Sequence, residues 1–280
     1  MNKKFVILNN GIKMPTIGYG VFRMTNLDEC EKCVIEAIKS GYRLIDTGLW
    51  KRNSGWKCDI PREELFITSK LWVTDTSYEK AKDGFYRSLK KLGLDYIDLY
   101  LIHQPYNDVF GAWRALEELY EEGLIKATGV DNFKQDSLAN FIYYNKIKPA
   151  VNMIECNVYF QRTDEKEYLD EKNILLEDWS PLKAGSNDVF DNPILQEIAL
   201  KHHKSVAQIV IRWLLQRGIV PVIKSSNQDR IKKNINVYDF ELNIEEMLKI
   251  SKLDTKTSTS QRTKGDEVEN FLKNTTNFNV

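Results

Sequence analysis

The sequence predicts an α/β fold of the (β/α)8 type, a TIM barrel with an N-terminal β-hairpin. Eight short apolar runs recur along the chain, most of them separated by segments of helical periodicity, the pattern that parallel strands buried on both faces require. Three early runs also end on or near different ionisable residues: GYRLIDT carries Asp46, ELFITSKLW carries Lys70 and YIDLYLIHQP carries His103. In a parallel barrel the C-terminal strand ends converge on one mouth whatever their distance in sequence. A carboxylate, an ammonium and an imidazole brought together there suit proton-transfer chemistry.

The elements follow in order. FVIL, Asn9-Asn10-Gly11 and IKM read as a β-hairpin, because Asn-Gly supplies the positive φ angles of a tight turn. The barrel strands fall in TIGYGVF, YRLIDT, LFITSKLW, YIDLYLIH, IKATGVDN, AVNMIECN, ILLEDWSPL and IVPVIKSS. Helical spacing is clear in SYEKAKDGFYRSLKKLG, where Tyr78, Phe85, Leu89 and Leu92 share a side, and in VFGAWRALEELYEEG, closed by Gly123. SVAQIVIRWLLQRG ends in the same way at Gly218. A doubly wound open sheet also alternates strand and helix, but it marks its nucleotide site with a Gly-rich turn after the first strand. TIGYGVF offers only Gly18 and Gly20, so the closed barrel is preferred. A single barrel domain over 1–280 is expected, with a polar tail at 255–280 that wraps over the barrel or stays mobile.

Composition narrows the function. Forty basic and forty acidic residues in 280 give a net charge of zero, with no basic tract to bind nucleic acid. The N-terminal apolar run is too short for a signal peptide and no stretch approaches membrane-spanning length, so a soluble, cytoplasmic protein without a membrane partner is expected. Monomer is the default state. Of the four cysteines, Cys30 and Cys33 are closely spaced, but they lie in an amphipathic helical pattern and read as reduced thiols rather than a redox or metal pair.

The strand ends supply a polar ring: Asp46, Lys70, His103, Asn132, Asn157, Trp179 with Ser180, and Lys224 with Ser225. With the phrases GYRLIDT, IPREELFITSKLW, SLKKLGLDYIDLYLIH and GVDNF, these residues resemble the aldo-keto reductase family from MPTIGYGVF through YDFEL. The resemblance implies an NADPH-dependent reductase that passes hydride to the carbonyl carbon of a small-molecule substrate. By it, Asp46 pairs with Lys70, Lys70 tunes a Tyr hydroxyl that protonates the oxygen, and His103 orients the carbonyl. Asn132 would bond the nicotinamide amide, Trp179 stack on the ring, and Ser180 and Leu182 meet the pyrophosphate. Asp131 stands where the family usually has Ser, and Met153 where its common VNQIE places Gln.

At the adenosine end the resemblance implicates Lys224, Ser225, Ser226, Arg230 and Asn234. Cationic side chains near a helix start suit a phosphate, and Arg230 suits a 2′-phosphate, which favours NADPH over NADH. Lys233 replaces a Glu often found against the adenine. Phe22, Trp72, Tyr106 and Phe110 lie near the mouth in sequence and suggest an apolar or aromatic carbonyl compound.

The family's catalytic Tyr lies five residues after the Asp, and here that position is Lys51, with no Tyr between Asp46 and Lys70. Reduction impaired by loss of the general acid is therefore expected. The alternative is a catalytically dead reductase fold that binds NADPH in a sensing or structural role; a barrel for phosphorylated metabolites is a third reading. Residues 48–59 are unlike the family's equivalent, and poor packing and mobility are expected there.

One hypothesis is a locally shifted reading frame. Trp-Lys must encode Gly when read from the second base of TGG, and LWKRNSGWKCD, with permitted codons, shifts to Tyr-Gly-Asn-Glu-Thr-Ala-Val-Gly-Asn-Ala. Divergence by substitution and deletion is the rival. Sequencing the coding DNA decides between them: codons at Leu49 and at Lys51 to Asn53 that shift to Tyr and to Asn-Glu support the frameshift, and any others exclude it.

Overall fold

The computed structural model describes residues 4–47, 60–260, 262 and 264–275. The segment at 48–59, with the expectation of poor packing placed on it, lies outside the described residues, as do parts of the tail. A two-stranded antiparallel hairpin, β1 (Phe5–Ile7) and β2 (Lys13–Pro15), precedes the barrel. Eight parallel strands then close in sequence order: β3 (Gly18–Gly20), β4 (Leu44–Asp46), β5 (Phe66–Leu71), β6 (Ile97–Ile102), β7 (Ile125–Asp131), β8 (Val151–Ile154), β9 (Leu175–Asp178) and β10 (Val220–Ile223). The fold class read from the apolar runs is the one observed.

Helices pack outside. They are α1 (Leu27–Lys39), α2 (Tyr78–Leu92), α3 (Val109–Glu121), α4 (Gln135–Tyr144), α5 (Thr163–Glu171), the short α6 (Asn187–Phe190), α7 (Pro193–His202), α8 (Val206–Gln216), α9 (Gln228–Asn234), α10 (Ile244–Ser251) and α11 (Gly265–Thr275). In α2 the Ser77 hydroxyl accepts from the Lys80 N–H, Gly93 closes the helix at φ 61°, and Phe85, Leu89 and Leu92 are buried. That face is the one its periodicity marks. No helix of the described residues is long and apolar enough to cross a membrane.

Strand alternation divides the apolar residues into two cores. Ile45, Ile67, Leu71, Tyr100, Ile102, Val130, Ile154, Leu176 and Ile223 point outward into the strand–helix core. Leu44, Phe66, Leu99, Leu101, Ala127, Val151, Met153, Val220 and Val222 point inward and fill the barrel. The register carries this parity across neighbouring strands, pairing Gly18 with Leu44, Leu44 with Phe66, Leu101 with Gly129, Gly129 with Val151 and Met153 with Glu177. Leu8 and Met14 of the hairpin join the inner core and plug the end where the strands begin. Asn9 and Asn10 hold the plug by donating to the Pro149 and Lys126 carbonyls at 2.8 and 2.9 Å.

The ladders are shorter than the apolar runs, because the chain turns out of the sheet just where the polar residues begin. Gly18 and Gly20 are inward residues of β3, and a Cβ at either would meet Val222 at 2.9 Å, so they serve barrel packing. Gly129 is tighter still, with Leu101 Cδ2 at 2.6 Å and the Val151 carbonyl oxygen at 2.7 Å from a Cβ built there. Because one of those atoms is backbone, Gly129→Ala is expected to destabilise the fold by about 1–3 kcal/mol, the usual cost of overpacking, as a lowered urea midpoint. An unchanged midpoint would contradict this packing.

Candidate active site

Above the inner core, five of the strands bring a polar or ionisable residue to the inward side. β4 ends on Asp46, β5 carries Lys70, His103 follows β6, β7 ends on Asp131, and β9 carries Glu177 with Trp179 just beyond it. Lys70 Nζ lies 3.3 Å from Asp46 Oδ2 and 3.0 Å from Asp131 Oδ2, and touches Met153 Sδ at 3.0 Å. All four residues are buried. His103 Nε2 is 3.8 Å from the same Asp131 oxygen, and the imidazole meets the Trp72 ring edge-on at 4.8 Å.

Electrostatics follow from burial around one ammonium. Burial pulls the Lys70 pKa down, but Asp131 and Asp46 together outweigh it and hold the group above its ordinary range. Burial pushes the Asp131 carboxyl up to about 7 against the opposing pull of Lys70. His103 is held well below the usual imidazole value, first by burial and then by Lys70, so it is neutral at neutral pH. Glu177 is raised well above the carboxylate range by burial, with the charges of Asp46 and Asp131 adding to that, and neither of its oxygens has a hydrogen-bond partner among the described residues. Leaving a neutral carboxyl unpaired costs about 1–3 kcal/mol, whereas a buried unpaired carboxylate costs several, so Glu177 keeps its proton.

Asn132 adopts φ 65° and turns out of the ladder. Its amide donates to Asp131 Oδ1 at 2.6 Å and to the His103 carbonyl at 3.3 Å, and accepts from Trp179 Nε1 at 3.2 Å. Of the residues predicted from sequence, Asp46, Lys70, His103, Asn132 and Trp179 therefore form one cluster. Ser180 is buried, its N–H on Asp178 Oδ1 at 2.8 Å, and Leu182 packs on the outer core. The chain is then left-handed at Lys183, Ala184 and Gly185.

Lys224, Ser226 and Arg230 are exposed after β10, Ser225 is half-buried and Asn234 is buried. This loop is tied from below: Tyr19 Oη donates to the Ser225 carbonyl at 2.6 Å, and Cys33 Sγ to the Ser226 carbonyl at 3.7 Å. Cys30 and Cys33 are free and buried. Asn157, a predicted ring member, instead accepts from the Tyr159 and Phe160 N–H groups and closes a turn.

Trp72 and Tyr106 are bridged by Phe271 of α11, which packs against both, with centroids at 6.2 and 5.9 Å. Phe110 does not join them. It faces Phe141 at 5.4 Å between α3 and α4, because its helix turns that side to the outer core.

Sequence reasoning missed Asp131, Met153 and Glu177 as members of the charged cluster. The signal was parity: Ala127, Gly129 and Asp131 share one face of β7, and Leu175 and Glu177 one face of β9.

This arrangement lies within a stretch, residues 15–255, that matches the Aldo/keto reductase family. The chain belongs to the aldo/keto reductase family. It is 45% identical over 258 residues to glyoxal reductase of Bacillus subtilis, covering 90% of this chain and 93% of that one. Among solved structures it is similar to an aldo-keto reductase from a Medee basin deep-sea metagenome library, with TM-score 0.89, 40% identity and coverage of 93% and 98%. A Bombyx mori aldo-keto reductase crystallised with NADP gives TM-score 0.83 and 30% identity, over 92% and 94% of the two chains.

The reductase carries a stability signature in its buried acids. Asp178, whose Oδ1 accepts from the Cys156 and Ser180 N–H groups, is also raised well above the usual range, first by burial. A carboxyl whose folded pKa exceeds its unfolded one stabilises fully below the unfolded value, and that contribution is lost as pH rises through the folded value. Thermal stability is therefore expected to fall as pH rises above the ordinary carboxylate range, and Glu177→Gln should lessen the fall. Melting curves at about pH 6 and about pH 9 check this; equal pH dependence in variant and parent would remove Glu177 from the account.

Proposed function

We propose that this chain reduces small aldehydes or ketones to alcohols with NADPH, in one barrel domain over 1–280. The observation that carries the reading is the contact of buried Lys70 with Asp46 beside neutral His103, at the mouth of a barrel of this family. Exposed Lys224 and Arg230, with Ser225 and Ser226, suit an anionic dinucleotide, and Arg230 suits its 2′-phosphate. Trp179 offers a flat face for the nicotinamide, and Ser180, Leu182, Asn132 and Asn234 complete the proposed contacts. Asn132 would have to exchange one of its present hydrogen bonds to take up the carboxamide.

When bound, the dinucleotide supplies the hydride. The protein's part is to hold the carbonyl oxygen against His103 Nε2, to keep positive charge at Lys70 beneath the oxygen as negative charge develops there, and to exclude water with Trp72, Tyr106 and Phe271. The likeness to glyoxal reductase supports a reactive small aldehyde, and the aromatic mouth supports an aromatic one.

Lys51 at the family's Tyr position favours a second reading, in which the chain binds NADPH without turning it over. Fluorescence titration with NADPH, then absorbance loss with glyoxal and with an aromatic aldehyde, separates the two. Turnover is expected, abolished in Lys70→Met, with Arg230→Ala weakening NADPH binding by about tenfold, or about 1.4 kcal/mol. Tight binding with no turnover in either aldehyde would leave the non-catalytic reading, and no binding would exclude both.

A further inference from the structure

One ammonium serves two carboxyls at the barrel mouth, and one of the two is tied to the residues proposed to hold the nicotinamide. Asp131 is buried, and both of its oxygens accept hydrogen bonds, Oδ1 from the Asn132 amide at 2.6 Å and Oδ2 from Lys70 Nζ at 3.0 Å. Donors on both oxygens are the surroundings of a carboxylate. Lys70 is shared with Asp46 at 3.3 Å, so one positive charge is divided between two negative ones and Asp131 is only partly neutralised.

The Asn132 side chain that bonds Asp131 also accepts from the Trp179 indole at 3.2 Å, so carboxylate, amide and flat ring form one chain of hydrogen bonds. A nicotinamide on Trp179 with its carboxamide at Asn132 is thereby set beside a buried negative charge. The nicotinamide ring is neutral when reduced and carries one positive charge when oxidised. Resting on the reductase reading above, we infer that the Asp131 carboxylate is the ionic partner of the oxidised nicotinamide, so that the pocket favours the oxidised dinucleotide over the reduced one. Asp131 forms and breaks no covalent bond in this part. Hydride carries an electron pair from the neutral ring to the carbonyl carbon, and a fixed negative charge eases the positive charge left behind.

The other groups packed about Asp131 do not supply that charge. From β4, Asp46 is the second partner of Lys70, and from β5, Lys70 is itself a cation. His103, after β6, is neutral, and β8 contributes uncharged Met153. Glu177 of β9, whose two oxygens lack partners among the described residues, keeps its proton.

Calorimetric titration of NADP and of NADPH into the parent and into Asp131→Asn tests the inference. The variant keeps the shape of the side chain and leaves Lys70 to Asp46. The preference for the oxidised over the reduced form should be about tenfold greater in the parent, a modest effect for unit charges in a buried site. Adenosine 2′,5′-bisphosphate, which lacks the ring, should bind both proteins alike, and melting curves establish that the variant is folded. A purely structural defect would weaken both forms of the dinucleotide together. The parent supplies a second arm by itself. Protonation of Asp131 as pH falls through about 7 removes the charge, so its preference should shrink between about pH 8 and about pH 6, while the 2′-phosphate, common to both forms, cancels. A preference unchanged in folded Asp131→Asn overturns the inference and, if carbonyl turnover persists, leaves the reductase reading intact. Should the variant not fold, a parent preference that stays constant across that pH range overturns it equally. Binding of neither dinucleotide overturns both.

Discussion

The ammonium of Lys70 is buried inside the barrel with three carboxyls on the surrounding inward rows, Asp46, Asp131 and Glu177, and the rest of the site depends on how that imbalance is resolved. Taking a carboxylate out of water costs several kcal/mol unless it is paired. Lys70 touches two of the three, and the third, Glu177, keeps its proton. Burial, with the Lys70 charge adding to it, keeps His103 neutral, which suits the imidazole to the proposed part of orienting a carbonyl rather than to donating as a cation. Pairing and protonation together let a strongly polar cluster sit directly above an apolar barrel core.

That cluster is held by backbone ladders rather than by loops. Asp46, Lys70, Asp131 and Glu177 all belong to strands, and each stands on an inward neighbour two residues before it: Leu44, Thr68, Gly129 and Leu175. Hydrogen bonding between strands fixes their spacing, and the hairpin plug at the far end completes the packing below them. The proposed adenosine end is built differently. Its cations lie on a loop and a seven-residue helix after β10, and Tyr19 and Cys33 secure that loop through its carbonyls. A rigid charged centre and an exposed cationic rim suit the proposed reductase and its soluble cofactor. The tail also approaches the mouth, with Thr259 bonded to buried Glu155 and Phe271 against Trp72.

The fold was legible because buried parallel strands must be apolar on both faces and the helices between them must not be, so the eight runs stood out before any pairing was known. Within the site, the residues ending those runs were legible too, since a barrel gathers strand ends whatever lies between them. Asp131 was not, although it adjoins Asn132, because one residue along a strand is the difference between facing the barrel and leaving it. Glu177 was hidden inside an apolar run, where a charged residue reads as an exception until its neighbours are seen. Phe110 was misplaced for the converse reason: nearness in sequence to a strand end does not say which way a helix turns its side chain.

The sequence by itself determined the strand and helix order, the closed barrel, the family and the chemical types gathered at the mouth, because those follow from periodicity and from residues at strand ends. Only the tertiary structure decided which carboxyls share Lys70, which imidazole nitrogen faces them and which acid retains its proton. Those outcomes depend on register, on distances of a few ångströms and on burial, and none of the three is a local property of the chain.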